Sequence, residues 1–131
     1  MMTLLQLLVL VYIIYKVFPI LRRFFSTGTM VSEQVLSKTK ALIKDHKVFV
    51  ASKSYCPYCS QTKKLLESLN ANAFVVELDT EPDGSDIQAA LLELTGQRTV
   101  PNVFINGEHV GGNSDLQALN SEGKLKTLLK N

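Results

Sequence analysis

Apolar and polar positions follow two different patterns along the chain. From Leu4 to Leu21 the run is almost wholly apolar, interrupted by Gln6 and Lys16, with Pro19 near its end. After Met30 the apolar residues become periodic. Ser32 followed by Val35, Leu36, Thr39, Leu42 and Ile43 predicts an N-capped amphipathic helix. Lys47–Ala51 is a short, nearly continuous apolar stretch, the pattern of a strand buried on both faces. The chain then turns through SKSYCPYC (Ser52–Cys59) and enters a second helix with Leu65, Leu66 and Leu69 inward. Ala73–Asp79 predicts another strand, Glu81–Ser85 a loop, and Asp86–Leu94 a helix stopped by Gly96. Asn102–Ile105 predicts a third strand. Asn106-Gly107 is a hairpin signal leading to a fourth around Glu108–Val110. Gly111-Gly112 breaks the pattern, and Ser114–Leu129 predicts one or two short helices interrupted near Gly123.

This order, helix, β-α-β, helix, β-β-α, predicts an α/β protein of thioredoxin-like fold. A central four-stranded mixed sheet is flanked by helices and preceded by a hydrophobic N-terminal segment. Composition divides the chain at the same place. It has 131 residues, with 14 Lys+Arg against 12 Asp+Glu. Three of those cations, Lys16, Arg22 and Arg23, lie in residues 1–29, which hold no acid, so residues 30–131 carry 11 cations against 12 acids. The basic balance therefore belongs to the leading segment. Residues 30–131 suffice for one domain with its own core and are too few for two. A nearly neutral domain without a Lys/Arg run excludes the electrostatic footprint of a nucleic-acid binder. Two cysteines make no disulfide scaffold.

For residues 1–29 the residues leave several expectations open. Eighteen helical residues from 4 to 21 would span about 27 Å, slightly short of a bilayer core of roughly 30 Å, and Lys16 can reach toward headgroups. That describes a tilted or mismatched membrane anchor. A secretory signal fits less well, because no positive region precedes the apolar run and no small-x-small site follows it. A mitochondrial leader is supported by the absence of acids and by RRFFST at Arg22–Thr27, although the run is very apolar and its arginines come late. Met30 offers a second start, so one gene would supply a targeted and a soluble form.

Cys56-Pro57-Tyr58-Cys59 lies at a predicted strand-to-helix junction. Unpaired N–H groups and the positive dipole end at a helix N-terminus stabilise a thiolate. An ordinary cysteine with a pKa near 8.5 is only about 3% ionised at pH 7, whereas in such a turn the value falls to roughly 3.5–7.5. Cys56 is thus the expected exposed nucleophile. Cys59, one turn inward, is placed to resolve a mixed disulfide on it. Pro57 suits the first helical turn, where its missing N–H has no intrahelical partner, and Lys53 adds positive charge. A zinc site would need more ligands than His46 and His109 can supply, and no metal is expected. An iron–sulfur site would need thiolates from elsewhere. Thr99-Val100-Pro101 precedes the third strand, where a cis Val–Pro bond would leave the Val100 backbone free to pair with an extended thiol substrate.

Four segments resemble one known family in order and spacing: FVASKSYCPYC (Phe49–Cys59), IQAAL (Ile87–Leu91), TGQRTVPNVFINGEHVGG (Thr95–Gly112) and NSDL (Asn113–Leu116). The chain resembles the dithiol glutaredoxins of the CPYC type, most closely yeast forms made in the cytosol and mitochondrion from two starts. The resemblance implies glutathione as co-substrate, no tightly bound cofactor, and glutathionylated and disulfide-containing proteins as partners. It implies that Lys53, Gln88 and Arg98 receive the glycine carboxylate, with Gln97 a weaker candidate. Thr99, Val100 and Pro101 would hold the cysteinyl backbone, Ser114 and Asp115 the γ-glutamyl group, and Tyr58 would flank the disulfide. A monomer is expected, in the cytoplasm or mitochondrion, with membrane association through residues 4–21 as the alternative for the long form.

The expected activity is glutathione-dependent thiol–disulfide exchange, reducing protein–glutathione mixed disulfides and protein disulfides. Two rivals remain at this point. One is a thioredoxin-type reductase fed by a flavoprotein, against which the CPYC turn and the Ser114-Asp115 pair argue. The other is a non-enzymatic iron–sulfur carrier, which Pro57 disfavours by stiffening the turn and removing a donor N–H.

Overall fold

The computed structural model describes residues 1–25 and 31–131, with residues 17–25 described by their backbone alone. Met30 and the Arg22–Thr27 stretch, which carried the second-start and leader expectations, lie outside the described side chains. The chain divides into two compact units, residues 1–30 and 31–131. The first is a helix, α1 (Leu4–Phe25), whose side chains from Leu4 to Tyr15 are exposed. Among the described residues no helix is long and apolar enough to cross a membrane.

In the second unit, Ser32 caps α2 (Glu33–Asp45) by accepting from the Val35 N–H at 3.3 Å. That bond satisfies one of the helix's orphan donors. Thr39, read as part of the apolar face, is fully buried and returns its hydroxyl to Val35 O at 2.8 Å. The chain continues through β1 (Val48–Ser52), α3 (Pro57–Ser68), β2 (Phe74–Glu77), α4 (Gly84–Thr95), β3 (Asn102–Ile105), β4 (Glu108–Gly111), α5 (Asn113–Ser121) and α6 (Lys124–Lys130). The sheet order is β2-β1-β3-β4, with β1 parallel to β2 and antiparallel to β3, and β4 antiparallel to β3. This is the predicted four-stranded mixed sheet, and the fold is thioredoxin-like.

All five residues of β1 are buried, which explains its unbroken apolar pattern. Phe49 and Ala51 join a core with Ile43 of α2, Ile87 and Leu91 of α4, and Phe104. Val48 and Val50 point to the opposite core, with Leu66 of α3, Leu116 of α5 and Leu125 of α6. One central strand therefore fixes both helical layers, and its C-terminal end delivers the chain to the cysteine turn.

The observed elements differ from the sequence pattern mainly at their ends. β1 includes Ser52, because Ser52 O accepts from the Leu78 N–H at 2.8 Å and prolongs the pairing with β2. β2 itself covers only Phe74–Glu77. β4 runs through Gly111, opposite Val103, so the first glycine of the pair belongs to the sheet. The terminal helical region is two helices separated at Gly123. α4 begins at Gly84, earlier than Asp86, and there the chain passes close to the backbone of Leu78. A Cβ at Gly84 would lie 1.8 Å from Leu78 O. Gly84→Ala is accordingly expected to destabilise the domain by about 2 kcal/mol or more, lowering the unfolding midpoint by on the order of 10 °C in a thermal melt. An unchanged midpoint would show that the β2–α4 connection yields freely.

Candidate active site

The C-terminal end of a parallel strand followed by a helix N-terminus is where open α/β folds place their reactive groups. Here the β1–α3 connection brings Cys56 to the N-cap of α3, with extended backbone (φ −84°, ψ 118°) and Pro57 in the first turn. Cys56 N–H donates to Lys53 O at 3.0 Å, closing the approach turn. The Cys56 Sγ accepts the Cys59 N–H at 3.3 Å, as an oxygen cap would in an ordinary helix. It also lies 3.8 Å from Val100 O. The Val100–Pro101 bond is cis, as the sequence reading expected.

The two thiols have opposite environments. Cys56 is partly exposed and Cys59 fully buried. For Cys56, burial is the largest single influence and opposes ionisation. The Cys59 thiol, the N–H groups of Cys59 and Tyr58, and the Lys63 charge together outweigh it, holding Cys56 below the ordinary thiol range. For Cys59, burial again comes first. Its hydrogen bond to Cys56 adds to the effect, and contacts with the Lys53 backbone and the Ser52 hydroxyl only partly offset it, so its pKa is raised. Both cysteines are free thiols.

Several supporting residues escaped the sequence reading. Asp79, taken as the end of a strand, accepts the Ser54 N–H at 2.9 Å and the Ser54 hydroxyl, fixing the loop before Cys56. Those two Ser54 bonds hold the Asp79 carboxyl below its usual range. Lys63, seven positions beyond Cys56 and so near its helical face, pairs with Glu77 at 2.7 Å. Thr62, fully buried on α3, donates to Asn113 Oδ1 at 2.9 Å, and Asn113 Nδ2 donates to Gln61 Oε1 at 2.9 Å. These bonds tie the cysteine helix to the first residue of α5. The i+7 spacing from Cys56 is the signal that would have found Lys63. No comparable sequence signal exists for Asp79 or Asn113, whose partners are remote along the chain.

The other residues expected to bind a ligand lie between β1 and the first turn of α3 (Lys53, Tyr58), on α4 (Gln88), in the loop before β3 (Gln97 to Pro101) and in the first turn of α5 (Ser114, Asp115). Gln88 Nε2 donates to Arg98 O at 2.9 Å, joining α4 to the loop before Pro101. Gln97 Nε2 donates to Thr99 O and to Pro101 O, each at 3.0 Å. Ser114 and Asp115 stand in the first turn of α5, where Asp115 Oδ2 accepts the Gly112 N–H at 2.9 Å. The same carboxylate closes on Gly111, where a Cβ would lie 2.3 Å from Asp115 Oδ2. Tyr58 is 62% exposed beside Cys56, and neighbouring Tyr55 is 73% exposed. Among the described residues, the side chains of Lys53, Arg98 and Ser114 form no ion pair or hydrogen bond with another side chain. No group of three or more His, Cys, Asp or Glu among the described residues could hold a metal ion. His46 stacks on Phe74, and His109 Nε2 lies 2.8 Å from Asn102 Oδ1.

A family model described as glutaredoxin matches residues 48–110. A glutaredoxin of Ricinus communis is 58% identical over 94 residues, covering 72% of this chain and 92% of its own. Glutaredoxin-1 of Saccharomyces cerevisiae is 49% identical over 105 residues, covering 77% of this chain and 96% of its own. Among solved structures, a buckwheat glutaredoxin–glutathione complex aligns with a TM-score of 0.73 at 48% identity, over 75% of this chain and 89% of that one. A wheat glutaredoxin aligns with a TM-score of 0.72 at 57% identity, over 74% of this chain and 93% of that one.

The electrostatics of the turn set a pH dependence. Only the thiolate reacts, so iodoacetamide labelling of each cysteine rises with pH through its own pKa. Labelling of Cys56 should rise and level off at lower pH than that of Cys59, read by peptide mass spectrometry. Lys63→Ala removes a favourable charge and should move the Cys56 midpoint upward. Equal midpoints for the two cysteines would contradict this account.

Proposed function

The chain belongs to the glutaredoxin family and is a glutathione-dependent thiol–disulfide oxidoreductase; within that activity we propose that Cys56 is the nucleophile and Cys59 the resolving thiol. The observation that carries the proposal is the Cys59 N–H directed at Cys56 Sγ from the first turn of α3. In the one-cysteine cycle, the Cys56 thiolate attacks the glutathione sulfur of a protein–glutathione mixed disulfide. The protein thiolate leaves and takes a proton, and the glutathionyl group stays on Cys56. A second glutathione thiolate attacks that adduct, releasing glutathione disulfide and restoring the Cys56 thiolate. In the two-cysteine cycle, Cys56 opens a protein disulfide, and Cys59 then gives up its proton and displaces the protein. The resulting Cys56–Cys59 disulfide is reduced by two glutathione molecules. The raised pKa of buried Cys59 supports this division, because the resolving thiol stays protonated while Cys56 is ionised. Glutaredoxin potentials of about −200 to −230 mV lie near the glutathione pool, so direction follows the compartment.

For glutathione itself, the proposed site extends from Lys53, Gln88 and Arg98, which receive the glycine carboxylate, to Ser114 and Asp115, which receive the γ-glutamyl group. The backbone of Thr99, Val100 and Pro101 faces the cysteinyl part, and Tyr58 covers the disulfide. In support, neither Lys53 nor Arg98 forms an ion pair among the described residues. The N-terminus of α5 favours a carboxylate, and Asp115 supplies the opposite charge for an ammonium. Both cycles are complete within one chain, and we assign the working form as a monomer.

Residues 1–29 are proposed to direct the long form to a membrane or to the mitochondrion, with initiation at Met30 giving a cytosolic form of residues 30–131. The exposed apolar side chains from Leu4 to Tyr15, interrupted only by Gln6, support a targeting role. N-terminal sequencing of protein from separated fractions checks it. An intact Met1 terminus in the membrane fraction identifies an anchor, and a terminus near Ser26–Met30 identifies cleavage or internal initiation. The full-length chain found only in the soluble fraction would refute targeting.

The cysteine roles are tested with glutathione as sole reductant. Cys56→Ser should lose deglutathionylation to background, whereas Cys59→Ser should keep it while losing turnover of protein disulfides. Full activity in the Cys56→Ser protein would overturn the assignment.

A further inference from the structure

The loop that faces Cys56 is capped unevenly. Four successive carbonyls run from Arg98 to Pro101. That of Arg98 accepts an N–H from the Gln88 amide, and those of Thr99 and Pro101 both accept from the Gln97 amide. The carbonyl of Val100 takes no nitrogen donor among the described residues and faces Cys56 Sγ at 3.8 Å. A single side-chain nitrogen thus spans Val100, using its two hydrogens on the residues to either side. Gln97 is itself held firmly. Its N–H donates to Thr95 Oγ1 at 3.0 Å, and that hydroxyl donates to Leu91 O at 2.7 Å, so the clamp is anchored in the last turn of α4.

An extended loop with four open carbonyls would offer an extended substrate several backbone registers, and a slip of one residue reverses which face every side chain meets. Only one register brings the substrate sulfur to Cys56. We propose that Gln97 is a positioning residue that selects this register, by occupying the Thr99 and Pro101 carbonyls and leaving the Val100 backbone to pair with the glutathionyl substrate. The inference rests on the reading of Val100 as the substrate-facing residue. It removes Gln97 from the residues that contact glutathione, because both amide hydrogens are committed to the loop.

The test compares Gln97→Met, which keeps length without a donor, with Gln97→Glu, whose carboxylate would oppose the two carbonyls. With a glutathionylated peptide as substrate, KM should rise about tenfold with kcat changed by less than about threefold, as expected for two lost neutral hydrogen bonds. Alkylation of Cys56 by iodoacetamide, which needs no backbone pairing, should stay within about twofold of wild type. An unchanged KM overturns the proposal, as does a fall in alkylation rate matching the loss of turnover, which would mark a general loosening of the turn. Two variants that both fail to fold would make Gln97 a structural residue and overturn it equally. Wild-type turnover in the same assay separates the layers. An inactive wild type refutes the oxidoreductase reading, whereas an active wild type with unaltered variants refutes only the role of Gln97.

Discussion

The arrangement on which the rest depends is the placement of a sulfur where a helix cap normally holds an oxygen. The first turn of every α-helix carries N–H groups without intrahelical partners, and Cys56 Sγ takes one of them at 3.3 Å. That position is only as good as the geometry behind it. β1, buried along its whole length between two cores, fixes the point at which the chain leaves the sheet. Asp79 then pins Ser54, Lys53 O receives the Cys56 N–H, and Thr62 fastens α3 to Asn113. Each contact restrains a different side of the turn, so the sulfur is held at the N-terminus of α3.

The same turn gives the two cysteines unequal chemistry from one shared hydrogen bond. The Cys59 S–H that helps ionise Cys56 is thereby kept on Cys59, and burial strengthens the difference. Desolvation acts against both thiolates. It loses at Cys56, where backbone donors converge, and wins at Cys59, whose donors are fewer and whose neighbour is negative. Once Cys56 is in a disulfide its charge disappears, and with it one of the influences that kept Cys59 protonated. The inequality of the two thiols is therefore written into the geometry of one helical turn.

Much of this was legible in the chain. The continuous apolar run near Phe49 required a strand covered on both faces, and Asn106-Gly107 required a tight hairpin, whose two residues have φ of 55° and 80°. The cysteine turn was readable because its chemistry depends on residues adjacent in sequence. What the pattern missed depends on pairs far apart along the chain. Asp79 meets Ser54 across 25 positions and Asn113 meets Thr62 across 51, and no local periodicity encodes either. The reach of Gln88 and Gln97 was likewise hidden, since an amide that binds a ligand and one that braces a loop look alike in sequence. The need for glycine at the start of α4 was hidden too, since it comes from the closeness of Leu78 O, six positions earlier in the chain.

One consequence follows from what ionises Cys56. Its stabilising influences are mostly hydrogen bonds from the backbone and from Cys59, and the Lys63 charge is the least of those favouring the thiolate. Lys63 is also shared with Glu77. Fixed peptide dipoles in contact with the sulfur are barely affected by dissolved ions, whereas the pull of an exposed charge fades within a Debye length of about 8 Å at physiological ionic strength. A thiolate held by the Cys59 thiol and by backbone N–H groups rests on contacts that dissolved salt does not screen. The reactivity of the sulfur is therefore built into the turn rather than lent by the surrounding medium.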